Sequence, residues 1–242
     1  LIEAGIARVV YATVDRNPAH AGRADQLLQT ASIEVLAGVC RAEAEKLLRP
    51  FFKVRETGIP WVIWKSAMSL DGRITRPPGE GQWLTGESAR ADVQKLRSTV
   101  DAILTSGATV RRDHPALTIR VPELLEGREQ PWRVIVTDRP ESLPHQPDRT
   151  LIRPRGDLAE ILRNLATDQG VLTVMIEAGG VFSAAMFEAG LVDEIVVYYA
   201  PMLCGGPSPG LAGVGLKESL HLEEVEFSQF GNDVRLRGVV KQ

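Results

Sequence analysis

Short β-branched apolar runs alternate with segments whose apolar residues recur at helical spacing, a pattern that predicts an α/β protein. Ile6–Val14 (IARVVYATV) predicts a buried strand, Ala24–Thr30 carries helical spacing, and Ile33–Leu36 predicts a second strand. Arg41–Val54 places Ala44, Leu47, Leu48 and Phe51 on one helical face, and Pro50 blurs where that helix ends. Strands are then expected at Trp61–Met68, Ala102–Thr105, Arg133–Thr137, Leu172–Ile176 and Glu194–Tyr199. Between them, Ala89, Val93, Leu96 and Val100 predict a helix with Thr85 as N-cap and Glu87 in its first turn. Leu158–Leu165 reads as a modest helix, and Val181–Glu188 as one that stops at Gly190. The turn-rich stretches Arg76–Gly81 and Pro201–Gly215, and the Pro- and Asp-rich stretch after Thr137, predict loops. Glu224–Phe230 and Val234–Val240 flank Gly231-Asn232-Asp233 and predict a closing hairpin. The whole describes a three-layer α/β domain with a mostly parallel sheet and an antiparallel edge.

Glu56-Thr57-Gly58 marks a boundary. Residues 1–58 form a βαβα piece with too little sheet to stand alone, whose pattern suggests the tail of a domain that begins earlier. Residues 59–242 form the main domain. Composition changes this picture little: 44% hydrophobic and 24% charged residues in 242 is the balance of a globular protein. A net charge of −3 argues against nucleic acid or an anionic membrane as partner. No apolar stretch approaches the roughly 20 residues of a membrane span, and Leu1-Ile2-Glu3-Ala4-Gly5 has no secretory character. Cys40 and Cys204 give no disulfide framework, so a cytoplasmic protein is expected.

Three segments carry candidate chemistry. Glu177-Ala178-Gly179-Gly180 joins a strand to a helix, where paired glycines and free helix N–H groups suit a nucleotide phosphate, though a tight turn without ligand explains them equally well. Ala67–Ile74 (AMSLDGRI) with Gln82-Trp83-Leu84-Thr85 follows a strand carrying Lys65, which needs either a partner or an edge position from which to reach water. Asp101–Arg120 puts hydroxyls and backbone N–H groups at a strand's C-terminal end, where open α/β sheets place ligands; Arg111-Arg112-Asp113 also reads as a solvated turn. The four histidines (His20, His114, His145, His221) are scattered and no paired cysteines occur, so no metal site is expected. No Gly-x-Gly-x-x-Gly follows an early strand, no Gly-x-Ser-x-Gly elbow joins a strand to a helix, and no Walker loop ends in Gly-Lys-Ser/Thr.

Taken in order and spacing, the Lys65 strand with AMSLDGRI, QWLTGESARADVQKLRS, DAILTSGATVRRDHPALTIR, MIEAGGVFSAAM and AGLVDEIVVYYAP resemble the reductase half of the bacterial bifunctional riboflavin-biosynthesis deaminase/reductase family. AGIARVVYATVDRNPAHAG and SIEVLAGV resemble the last part of that family's cytidine-deaminase-like domain. The resemblance implies a dihydrofolate-reductase-like fold, NADPH as hydride donor, a homodimer, and 5-amino-6-(5-phosphoribosylamino)uracil as the phosphorylated pyrimidine substrate. It places Ala67, Trp83, Thr109, Asp113, Gly179, Gly180, Val181, Phe182, Ser183, Ala184 and Ala185 at the cofactor. Gly81, Arg97, Leu117, Arg120 and Glu177 fall on substrate positions, and Lys65, Asp113 and Glu177 are the expected catalytic groups. Three departures stand out. His114 occupies a position where a second Asp is common, Gly81 one where a Ser is common, and Asp15-Arg16-Asn17-Pro18 replaces Asp-Pro-Asn-Pro. No Pro-Cys-x-x-Cys occurs in the sequence, and the deaminase-like piece carries no His-x-Glu of the family's zinc site, so deamination by this chain is not expected. A same-fold reductase of another small molecule, such as a pterin, and a catalytically inactive NADPH-binding scaffold remain the rival expectations.

Overall fold

Residues 1–17 and 23–241 are described by the computed structural model; the Pro18–Gly22 end of the AGIARVVYATVDRNPAHAG motif, with His20, lies outside them. The chain divides into two compact units, Leu1–Pro60 and Trp61–Gln242.

In the first unit β1 (Arg8–Tyr11) pairs in parallel with β2 (Glu34–Ala37), and α1 (Arg23–Thr30) and α2 (Arg41–Thr57) complete the expected βαβα order. Two expectations need correction here. Pro50 lies inside α2, and the helix runs on through it to Thr57, with Gly58 closing it at φ 72°. The inward face is also rotated: Phe52 is the buried residue of α2, whereas Leu47 is 81% exposed. Leu48 and Phe52, four residues apart, define the stripe in its place.

The second unit is built on one eight-stranded sheet. Its strands are β3 (Trp61–Ser69), β4 (Ala102–Ser106), β5 (Trp132–Val136), β6 (Thr150–Arg153), β7 (Thr173–Ile176), β8 (Glu194–Ala200), β9 (Leu222–Phe230) and β10 (Asp233–Val240). They lie side by side in the order β6-β5-β4-β7-β3-β8-β10-β9. The first six of these are mutually parallel, and β10 and β9 form the antiparallel edge. Strands β4 and β7 are buried on both faces, which explains their unbroken apolar sequences. Helices α3 (Glu87–Ser98), α4 (Gly107–Asp113), α5 (Leu158–Gln169) and α6 (Gly180–Glu188) connect the parallel strands. Apolar on all sides, α6 is largely buried, with Phe187 edge-on to Trp64 of β3 at 5.1 Å between ring centres.

Two elements of this unit escape the sequence pattern. α4 begins at Gly107, directly after β4, and takes in the Arg111-Arg112-Asp113 stretch read as a turn, and β6 lies within the Pro- and Asp-rich loop. Both are short, and β6 forms only by pairing with β5.

Thr85 is not the N-cap of α3. Gly86 holds that position without a side-chain cap, and its N–H is bound by Asp233 Oδ2 from β10 at 2.7 Å. A carboxylate 147 residues away thus replaces the local cap. Asp233 is 3% exposed, so Asp233→Ala leaves the amide without a buried acceptor. The expected loss is about 1–2 kcal/mol. In thermal melts it should lower the midpoint by roughly 2–8 °C for a chain of this length. An unchanged midpoint would show that water replaces the carboxylate there.

Candidate active site

The parallel pairing of β3 and β7 sets Trp64 opposite Ile176, so Lys65 and Glu177 follow on the next rung of neighbouring strands. Lys65 lies in a central strand, not an edge, and its partner is now visible: Nζ is 3.4 Å from Glu177 Oε2. Arg97 reaches the same carboxylate from α3. Its Nε donates to Glu177 Oε1 at 2.7 Å and its Nη2 to Oε2 at 3.1 Å, a fork-on-carboxylate geometry. The three side chains are only 10–14% exposed. Burial pushes the Glu177 carboxyl up, but the charges of Arg97 and then Lys65 outweigh it and hold the group at about 2. Its backbone is fixed as well, since Glu177 N–H donates to Leu104 O and Glu177 O accepts from Thr105 Oγ1 at 2.7 Å.

This ion cluster forms part of the wall of a cleft of about 620 Å³ at the C-terminal ends of β3, β4 and β7. Of the expected site residues, Lys65, Ala67, Gly81, Trp83, Arg97, Thr109, Asp113, Leu117, Arg120, Glu177 and Gly179 all line it. Gly180 to Ala185 do not. Gly180, Ser183 and Ala184 are buried, and only Val181 of this run is exposed. The glycine turn therefore presents backbone rather than side chains. Gly179 N–H donates to Thr109 Oγ1 at 3.2 Å, which ties the turn to α4. Gly180 admits no side chain, because a Cβ there would collide with the Pro209 carbonyl and crowd Ala212 at about 3 Å.

Arg97 and Arg120, paired as substrate positions in the sequence, differ in state. All of Arg97's bonds are internal, the third running from Nη1 to Thr118 O at 2.9 Å. Arg120 is exposed, and its guanidinium has no hydrogen-bond or ion-pair partner among the described residues. The backbone beneath it is held firmly. Arg120 N–H donates to Gln94 Oε1 at 2.7 Å, and the Gln130 amide brackets Ile119 at 2.8 and 2.9 Å. That bracket helps to keep Leu117 at φ 50°, a left-handed conformation that costs a branched residue of order 1–3 kcal/mol and collects at functional sites. Asp113 sits at the rim, paired in two bonds with its neighbour Arg112.

Several cleft residues have no counterpart in the sequence reading. Gln94 is 5% exposed and anchors the Arg120 segment, while Arg90 lies over the half-exposed Trp83 ring at 5.3 Å. The signal was present: Arg90, Gln94 and Arg97 share one face of α3, a polar stripe in which Gln94 and Arg97 are buried and Arg90 half-buried. Among the described residues no three His, Cys, Asp or Glu side chains gather as a metal site, and no helix is long and apolar enough to cross a membrane.

A mostly parallel sheet with a cleft at its strand ends and a glycine turn entering α6 defines an α/β protein with its ligand site where open α/β sheets place one. The particular family follows from comparison. Residues 60–236 match the RibD C-terminal domain model, and the chain belongs to that family. It is 37% identical to the riboflavin biosynthesis protein RibD of Escherichia coli K12 over 276 residues, covering 98% of this chain and 75% of that protein. Among solved structures it is similar to Acinetobacter baumannii RibD, with a TM-score of 0.85, 33% identity, and coverage of 100% of this chain and 75% of that one. A deaminase/5-amino-6-(5-phosphoribosylamino)uracil reductase from Thermotoga maritima aligns at TM-score 0.81 and 26% identity, covering 99% and 73%. Enterococcus faecalis dihydrofolate reductase shares the fold at TM-score 0.50 and 12% identity over 75% of this chain and 97% of that one. The expected dihydrofolate-reductase-like architecture is therefore the observed one.

Proposed function

We propose that this chain reduces the ribosyl group of 5-amino-6-(5-phosphoribosylamino)uracil to the ribityl chain of riboflavin biosynthesis, with NADPH as hydride donor. The observation that carries the reading is the buried Lys65–Glu177–Arg97 cluster inside a cleft that also presents an unpaired Arg120, in a member of the RibD C-terminal domain family.

The residues fit a dinucleotide. No side chain caps α6, and the position of a Cβ on Gly179 meets nothing nearer than Thr109 Oγ1 at 3.9 Å, so an anion can approach the first helical N–H groups. Gly179, Gly180 and the backbone of Val181 and Phe182 are the groups that would hold its phosphates. The Ser183, Ala184 and Ala185 positions support the turn from beneath. Ala67, Trp83 and Thr109 shape the nicotinamide side, with the Trp83 ring as a cover. When bound, NADPH supplies hydride, and the protein's part is orientation and proton supply.

On the substrate side, the free fork of Arg120 suits the ribose phosphate, and Gly81 and Leu117 shape the cleft around it. Arg97 is a positioning residue, because its donors hold Glu177. Glu177 accepts from the ring-opened sugar amine, and Lys65 or Asp113 donates the proton that opening the ribose ring requires. The first unit is the C-terminal part of a deaminase domain, and the protein is a cytoplasmic homodimer.

The test follows NADPH absorbance with purified protein and the deaminated ribosylaminouracil phosphate. Substrate-dependent oxidation with the ribityl product in the mass spectrum is the expected result. Nucleotide binding with no turnover of this substrate would turn the reading towards another small molecule, such as a pterin, or towards a binding-only protein.

A further inference from the structure

Residues 115–120 place Leu117 and Arg120 on the cleft wall, yet they belong to no helix or strand. Among the described residues no backbone–backbone hydrogen bond holds this segment. Side chains hold it instead. Arg133 Nη2 donates to Pro115 O at 3.3 Å and Arg97 Nη1 to Thr118 O at 2.9 Å, while Arg120 N–H donates to Gln94 Oε1 at 2.7 Å. Gln130 makes two bonds to one residue: its Oε1 accepts from Ile119 N–H at 2.8 Å, and its Nε2 donates to Ile119 O at 2.9 Å. A neighbouring antiparallel strand would supply the same pair of bonds.

Gln94 and Arg97 line the cleft themselves, whereas Gln130 lies behind the segment. With Ile119 it lines a separate cavity of about 380 Å³, while Leu117 and Arg120 line the cleft. Ile119 and Arg120, adjacent in sequence, therefore border opposite sides of one wall. Gln130 is itself well fixed. Pro131 follows it and restricts its backbone to extended conformations, and Trp132 N–H donates to Asp101 O at 2.8 Å where β5 begins. Strand β5 runs between β4 and β6, so one carboxamide joins the sheet to the backbone that carries Arg120. The wall is also strained. His114 (φ 42°) and Leu117 (φ 50°) stand in the left-handed region, which such residues keep only while their surroundings over-determine it. The Arg120 guanidinium has no partner among the described residues, so the backbone sets the point from which its fork reaches out.

We propose that Gln130 is a positioning residue for the substrate: from behind the cleft it fixes the Arg120 backbone so that the guanidinium meets the phosphate of the sugar-phosphate substrate. The inference rests on the reductase reading above and adds a residue that touches neither substrate nor cofactor. Without the carboxamide, Ile119 N–H and O turn to water in the cavity behind them. The left-handed turn at Leu117 then relaxes, and Arg120 samples positions from which the phosphate is out of reach. Binding suffers, while Arg97 stays on Glu177 and chemistry in the bound state goes on as before.

The test separates phosphate binding from chemistry. Ribose 5-phosphate, the phosphorylated end of the substrate, is titrated by calorimetry against the wild type, Gln130→Ala, Arg120→Gln and the double variant. Steady-state rates are taken with the full substrate and with its dephosphorylated form. Gln130→Ala should weaken ribose 5-phosphate binding about ten- to a hundredfold, the range for misplacing a positioned group by about an ångström. KM should rise by a similar factor with kcat little changed, the mark of lost binding alone. In the Arg120→Gln background the same change should add almost nothing, because the group it positions is gone. KM for the dephosphorylated substrate should stay as it was. Gln130→Met removes both bonds but keeps the volume, so it should repeat these effects and guards against collapse of the Ala variant. Equal losses with and without Arg120, or equal losses for phosphorylated and dephosphorylated substrate, mark a general loosening of the fold and overturn the proposal. A wild type without turnover whose ribose 5-phosphate binding depends on Arg120 and Gln130 overturns the reductase reading and leaves the positioning role standing. A wild type that shows neither turnover nor that binding overturns both.

Discussion

Replacing Glu177 by Gln is expected to lower turnover of the ribosylaminouracil phosphate by about 10²–10⁴-fold, the range for losing a group that supports proton transfer. NADPH affinity should change little, because the glycine turn presents its own backbone. The substitution keeps the shape of the side chain and removes the charge that Arg97 and Lys65 share. Two cations are then left together, each about nine-tenths buried, and breaking such a pair costs roughly 3–5 kcal/mol. A large loss of stability should therefore accompany the loss of turnover, and Lys65→Met combined with Glu177→Gln should recover part of the first but none of the second.

The same carboxylate predicts an acid limit. Burial raises its proton affinity, Arg97 and Lys65 outweigh that, and the folded value of about 2 lies below the ordinary 4.5. A group depressed by folding contributes stability that is complete above its unfolded value and is lost as the pH falls towards the folded one. Urea midpoints measured between about pH 6 and about pH 3 should fall in the wild type more steeply than in Glu177→Gln. Parallel curves would mean that Glu177 is not held ionised by its neighbours.

The second large effect is expected from Gly180→Ala. The added methyl meets the Pro209 carbonyl and Ala212, which are mainly backbone atoms that cannot rotate away. Overpacking of this kind typically costs about 1–3 kcal/mol, so a fall of roughly 2–12 °C in the melting midpoint is expected. Relief comes most easily by moving the 208–212 segment off the turn, so nucleotide affinity should fall as well. Gly179→Ala is the control: its Cβ meets only Thr109 Oγ1 at 3.9 Å and the fold should tolerate it. Equal melting behaviour of the two variants would show that the Pro209 segment is not locked against α6.

Some of this could be read directly from residues. The apolar runs of β3, β4, β5, β7 and β8 were legible because a strand buried on both faces needs consecutive apolar residues and little else. Gly179-Gly180 was legible as a strand-to-helix turn, though the order of strands around it was not. The resemblance to the riboflavin reductases supplied the site residues; the fold brings eleven of those positions to one cleft and keeps Gly180 to Ala185 off its wall. It could not supply their electrical state.

By itself, then, the sequence determined the class of fold, the alternation of strands and helices, and the neighbourhood of the chemistry, because these follow from local periodicity and turn chemistry. Tertiary structure alone decided that Lys65 is central rather than at an edge, and that Arg97 is committed to Glu177 while Arg120 is free. It also decided that Asp233 caps α3. Each of these depends on which strand lies beside which, and so on contacts between residues up to 147 positions apart. Local patterning carries no record of such pairings. The register of the sheet creates them, and with them the charges that the site can use.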